Sequence, residues 1–62
     1  MTEYQHLPND PAMLLSFVNT QLRDNYPSFS ELVAAFHADA DAITEKLKMI
    51  NYEYDETQNQ FV

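Results

Sequence analysis

His37-Ala38-Asp39-Ala40-Asp41 sets an imidazole and two carboxylates at alternating positions, a spacing that could offer nitrogen and oxygen ligands to a divalent cation. A structural zinc site wants four ligands, with thiolate or further histidine among them, and the chain has no cysteine. Both aspartates also have a sufficient role without metal. Asp39 stands where a helix N-cap is wanted, and Asp41 falls in the first turn of that helix, where a negative charge complements its dipole. His37 falls at the C-terminus of the preceding helix, where a cation is favoured. No metal and no cofactor is expected. Nor does any nucleophile sit beside a base in a recognisable spacing, and so small a core leaves little room for the ~300 Å³ that a ligand pocket needs. The expectation is therefore no enzyme, no catalytic residue and no small-molecule substrate.

Charge bounds the partners next. Ten acidic residues stand against Arg23, Lys46 and Lys48, a net charge of −7. A duplex whose phosphates dominate affinity repels such a surface at long range, as does an anionic membrane. Nucleic-acid binding would require Arg23, Lys46 and Lys48 to converge on one face beside a helix whose outer side carries Asp41, Thr44, Glu45 and Lys48. Two of those four are acids, so nucleic acid is disfavoured. The acidic balance keeps a small protein soluble or meets a basic partner surface. Glu53, Asp55 and Glu56 are most simply a solvated edge, since charge on an edge strand blocks unwanted pairing. Met13, Leu15 and Met49 are the candidate interaction residues. Leu15 points away from the line Leu14-Val18-Leu22, and adaptable methionines are over-used at binding surfaces. They could equally fill the core; exposed together they would mark self-association or a protein partner.

Three helices must position these groups. Asp10 as N-cap and Pro11 at the first helical position open a helix that runs to about Asp24, with Met13, Leu14, Phe17, Val18 and Leu22 on a broad apolar face. Tyr26-Pro27 stops it. Asn19 lies at the edge of that face, either solvated or as a buried amide bonding a neighbouring loop. Ser28-Phe29-Ser30-Glu31 reads as a capping box, after which Phe29, Leu32, Val33 and Phe36 form a stripe at i, i+3, i+4, i+7. A turn at His37-Ala38-Asp39 leads to a third helix striped by Ile43, Leu47 and Ile50. Asn51, which tolerates a left-handed backbone, ends it in a chain without glycine. Tyr52 to Asp55 alternate apolar and polar as a half-buried strand does. Glu56-Thr57-Gln58-Asn59 makes a four-residue turn with Asn59 left-handed, and pairing Tyr54 with Phe61 puts both rings on one face.

The fold class expected is α+β: a three-helix, helix-turn-helix-like domain over residues 9–62 with a C-terminal two-stranded hairpin, preceded by a mobile arm over residues 1–8. Sixty-two residues are near the lower limit for folding alone. No stretch approaches the ~20 apolar residues that span a bilayer, the start lacks signal-peptide character, and absence of cysteine fits a reducing compartment, so a cytoplasmic protein is expected.

The run from Phe36 to Ile50 resembles the central part of winged helix-turn-helix domains, which usually carry a turn glycine and an N-capping serine there; the trailing hairpin looks like a wing. More of the chain is similar to another family. Leu7-Pro8-Asn9-Asp10-Pro11-Ala12-Met13-Leu14-Leu15-Ser16-Phe17-Val18-Asn19, Leu22-Arg23-Asp24, Tyr52-Glu53-Tyr54-Asp55 and Asn59-Gln60-Phe61 resemble short bacterial proteins, mainly from anaerobic Gram-positives, catalogued as a domain of unknown function. That resemblance spans residues 7–61 and implies no activity, cofactor or catalytic residue. Such sequences tend to have glycine where this one has Asn51. The function expected is a non-enzymatic protein-interaction module, with a winged-helix-like nucleic-acid-binding regulator as the alternative.

Overall fold

The computed structural model describes residues 7–62, so most of the segment read as an arm lies outside the described residues. Three helices, α1 (Pro11–Asp24), α2 (Phe29–Phe36) and α3 (Ala40–Lys48), precede an antiparallel hairpin of β1 (Tyr54–Asp55) and β2 (Gln60–Phe61). The fold class is α+β as expected.

Each helix starts where a side chain takes up an orphan N–H. Asp10 accepts from the Met13 N–H (3.1 Å), with Pro11 in the first turn. Ser28 Oγ accepts from the Glu31 N–H (3.2 Å), and Asp39 from the N–H groups of Asp41 and Ala42. The second half of the expected capping box, from the Ser28 N–H to the Glu31 carboxylate, is not among the hydrogen bonds of the described residues. Another orphan donor of that turn, the Phe29 N–H, goes to Tyr54 Oη on the hairpin (3.2 Å).

Two of the three helices, α2 and α3, end on left-handed residues other than glycine, whereas α1 ends at Asn25 with φ −127°. His37 (φ 54°) follows α2, with the Ala38 N–H bonded to Val33 O and the His37 N–H to Ala34 O. Asn51 (φ 66°) follows α3, with the Tyr52 N–H bonded to Leu47 O and the Asn51 N–H to Lys48 O. Both are Schellman reversals, whose 6→1 and 5→2 bonds occupy carbonyls a helix end would leave open. His37 thus does with its backbone what a turn glycine does.

The core is a single cluster of Leu14, Val18 and Leu22 from α1, Phe29 and Leu32 from α2, Ile43 and Leu47 from α3, and Phe61 from β2. The predicted stripes supply all of it but Phe61, which the expected hairpin supplies, and Leu7, Leu15, Phe17, Val33, Phe36, Ile50, Tyr52 and Tyr54 pack around its margin half-buried. Met13 departs from the face assigned to it and is 64 % exposed. Its position next to Leu14 turns it about 100° off the Leu14-Val18-Leu22 line.

Candidate functional site

The hairpin register follows from the turn. Tyr54 pairs with Phe61 and Asp55 with Gln60, and the Asp55 carboxylate holds the turn by accepting from the Thr57 N–H (2.9 Å) and Gln58 Nε2 (3.0 Å). These bonds, the one from Gln58 first, hold the Asp55 carboxyl below its ordinary pKa. Phe29, Tyr54 and Phe61 form a ring triad with centroids 5.0–5.5 Å apart, Phe29 and Phe61 meeting edge to face. That geometry suits aromatic quadrupoles and fixes the hairpin on α2.

Two asparagines hold the hairpin to the helices. Glu53 and Val62 exchange both backbone bonds (2.9 and 2.8 Å), so Tyr54 and Phe61 form the next, non-hydrogen-bonded pair, whose own N–H and C=O groups point away from the partner strand. On the β2 side Asn19 of α1 meets them: its Oδ1 accepts from the Phe61 N–H (2.8 Å) and its Nδ2 donates to Phe61 O (3.1 Å). A side-chain amide thus takes the place of a neighbouring strand. Asn19, expected either solvated or as a buried amide bonding a neighbouring loop, is half-buried and bonds a strand instead. Asn59, left-handed at φ 55° as expected, donates from Nδ2 to Leu22 O (3.1 Å) and Tyr26 O (3.0 Å), while Oδ1 accepts from Tyr54 Oη at 2.6 Å. The end of α1, the loop that follows it at Tyr26, and β1 are joined through one side chain. The expected turn identified Asn59 by its backbone; its carbonyl partners lie more than thirty residues away and leave no local pattern.

The three basic side chains lie at different places, and Arg23 and Lys46 have hydrogen-bond partners. Arg23 forms a two-pronged pair with its neighbour Asp24 (2.9 and 3.1 Å). The hydrogen bond lowers the Asp24 carboxyl pKa and raises that of Arg23. With both side chains at least half exposed, such a pair contributes little stability. Lys46 Nζ donates to Asn9 O (3.0 Å), tying α3 to the entrance of α1. Lys48 lies beside Asn51, Glu53, Asp55 and Glu56. Lys46 and Lys48, two apart on α3, point to different sides of the helix.

Of the candidate interaction residues, Met13 and Met49 are exposed, at 64 % and 74 %, whereas Leu15 is half-buried against the core. His37 and Asp39 occupy their helix ends as backbone reversal and N-cap, and no cluster of three or more metal-ligating side chains is present among the described residues. Hollows larger than ~300 Å³ lie on the surface rather than in the core. One of about 580 Å³ is lined by Lys48 and Asn51 at the end of α3 and by Glu53, Tyr54, Asp55 and Glu56 of the hairpin. A second, of about 500 Å³, lies between Tyr54 and the Pro27–Ser30 entrance to α2.

Among the described residues no helix is long and apolar enough to cross a membrane. No curated protein and no solved structure matches the chain. A family model does, over residues 8–61, so the match takes in all three helices and the hairpin. The chain accordingly belongs to the family described as Domain of unknown function (DUF4250).

Proposed function

We propose that the chain is a non-enzymatic protein-interaction module, acting in the bacterial cytoplasm and contacting a protein partner or a second copy of itself. The observation that carries this reading is the exposure of Met13 and Met49 on a domain whose core is already closed. Neither side chain belongs to the core cluster or to the hydrophobic residues packed against it, so folding leaves these thioethers unused. Adaptable apolar side chains kept in water at a cost to solubility are what a binding surface supplies. The test uses the full chain as bait and in sedimentation at micromolar concentration. Expected is self-association, or recovery of a defined protein, that is lost in Met13→Asp or Met49→Asp. A monomer that recovers nothing, or capture indifferent to both changes, would leave the proposal without support.

The second reading is a winged-helix-like nucleic-acid binder. It is favoured by the order helix, helix, helix, hairpin and by the presence of two of the three cations, Lys46 and Lys48, on α3. Against it stand the net charge of −7 and the engagement of Arg23 and Lys46 by Asp24 and Asn9. A shift of duplex DNA at low salt that weakens steeply as salt rises is its expected sign; no shift at low salt removes it.

A further inference from the structure

The two edges of the hairpin are treated differently. On the β2 edge the outward N–H and C=O of Phe61 are both taken by Asn19. On the β1 edge the corresponding groups of Tyr54 point outward by the same register, and neither has a partner among the hydrogen bonds of the described residues. Tyr54 lines a surface hollow together with Lys48, Asn51, Glu53, Asp55 and Glu56. Its charge is three carboxylates against one ammonium.

We infer that the outer edge of β1 accepts an extended segment of another protein, rich in lysine or arginine, as an added strand. The inference rests on the proposed interaction-module function and names a surface and a partner chemistry for it. The incoming backbone would make with Tyr54 the two-bond ring that the Asn19 amide makes with Phe61. Main-chain bonds supply affinity in such additions and side chains supply selectivity. The acids choose the occupant. A second copy of this chain would bring its own Glu53, Asp55 and Glu56 to the same line, and like charges across a strand pair disfavour pairing. A cationic strand is attracted by the same groups, and the whole-molecule charge of −7 steers it there.

The test titrates the full 15N-labelled chain at millimolar peptide with an acetylated alternating Lys-Val hexapeptide. Controls are its Glu-Val counterpart and a fully N-methylated Lys-Val version, which keeps the charge but cannot lie against a strand edge. Expected with the Lys-Val peptide are a shift of the Tyr54 amide signal and severalfold slower exchange of that amide, with neither control doing the same. Glu53→Gln and Glu56→Gln, both at exposed positions, should each weaken binding about 1.5- to 5-fold, and raising salt should act in the same direction. An unmoved Tyr54 amide, or equal binding of either control, overturns the inference. If that happens while capture dependent on Met13 and Met49 persists, only the edge assignment falls. If that capture fails too, the interaction-module reading falls with it.

Discussion

Replacing Asn59 separates what its backbone does from what its side chain does. Asn59→Gly keeps the left-handed conformation without strain and removes three hydrogen bonds, those to Leu22 O, Tyr26 O and from Tyr54 Oη. At roughly 1 kcal/mol net for each neutral bond, the loss is about 3 kcal/mol, less the few tenths glycine gains at a left-handed position. Asn59→Ala makes the same deletion and adds up to about 1 kcal/mol, because alanine lacks the short polar side chain by which asparagine tolerates φ 55°. A domain of this size has roughly 3–5 kcal/mol of stability to lose. The glycine variant should therefore retain a small remainder and the alanine variant little or none at 25 °C. With about 4–8 °C of Tm per kcal/mol in small domains, the glycine change corresponds to a fall of roughly 10–20 °C. Urea unfolding followed by far-UV circular dichroism, with tyrosine emission as a second probe, measures both. A double-mutant cycle with Tyr54→Phe should give a coupling of about 0.5–1.5 kcal/mol for the shared bond. A glycine variant within ~0.5 kcal/mol of the parent, inside the scatter of ordinary surface changes, would show that Asn59 is a turn residue and not a tie between α1 and the hairpin.

Asn19→Leu leaves the Phe61 N–H and C=O without their partner and should cost about 1–3 kcal/mol, with faster amide exchange at Phe61 and Val62; unchanged exchange there would sink the account of the β2 edge. Asn51→Gly should change the unfolding free energy from urea titration by only a few tenths of a kcal/mol, because asparagine tolerates the left-handed conformation at φ 66°; a gain of about 1 kcal/mol or more would contradict this explanation of the α3 end. Asp55 has its folded pKa below the unfolded one, so its contribution is present above about pH 4 and is lost as the pH falls through the folded value. Hairpin amide protection measured from pH 5 to pH 2 should show that loss in the parent and not in Asp55→Asn.

The helices were legible because their beginnings carry chemistry that acts locally. Asp10-Pro11, Ser28 and Asp39 each satisfy a donor within three residues, and the stripes behind them name nearly all the core. The Tyr54–Phe61 register was legible too, since a four-residue turn with a left-handed fourth position leaves little choice of pairing. Asn19 was not settled by sequence. An amide at the margin of an apolar stripe looks the same whether it meets water or a strand, and its partner lies 42 residues away. Met13, expected both on the apolar face of α1 and among the candidate interaction residues, is exposed, because its angle from Leu14 and not its apolarity decides the side it takes. The surface resists sequence reading for a related reason. Groups that fold the chain obey periodicity, whereas Met13, Met49 and the Tyr54 edge are conspicuous only once the remaining contacts have been accounted for.

The Asn19–Phe61 clasp also bears on how the molecule assembles. A strand pair this short does not persist in water by itself, so β1 and β2 gain their pairing only as Phe61 reaches α1. Closing that 42-residue span costs roughly 3 kcal/mol of chain entropy, whereas each helix forms from neighbours in sequence. Hairpin docking is thus expected as a late event, with Asn19→Leu accelerating unfolding more than it slows folding. Stopped-flow rates on the two limbs of the chevron read that ratio directly.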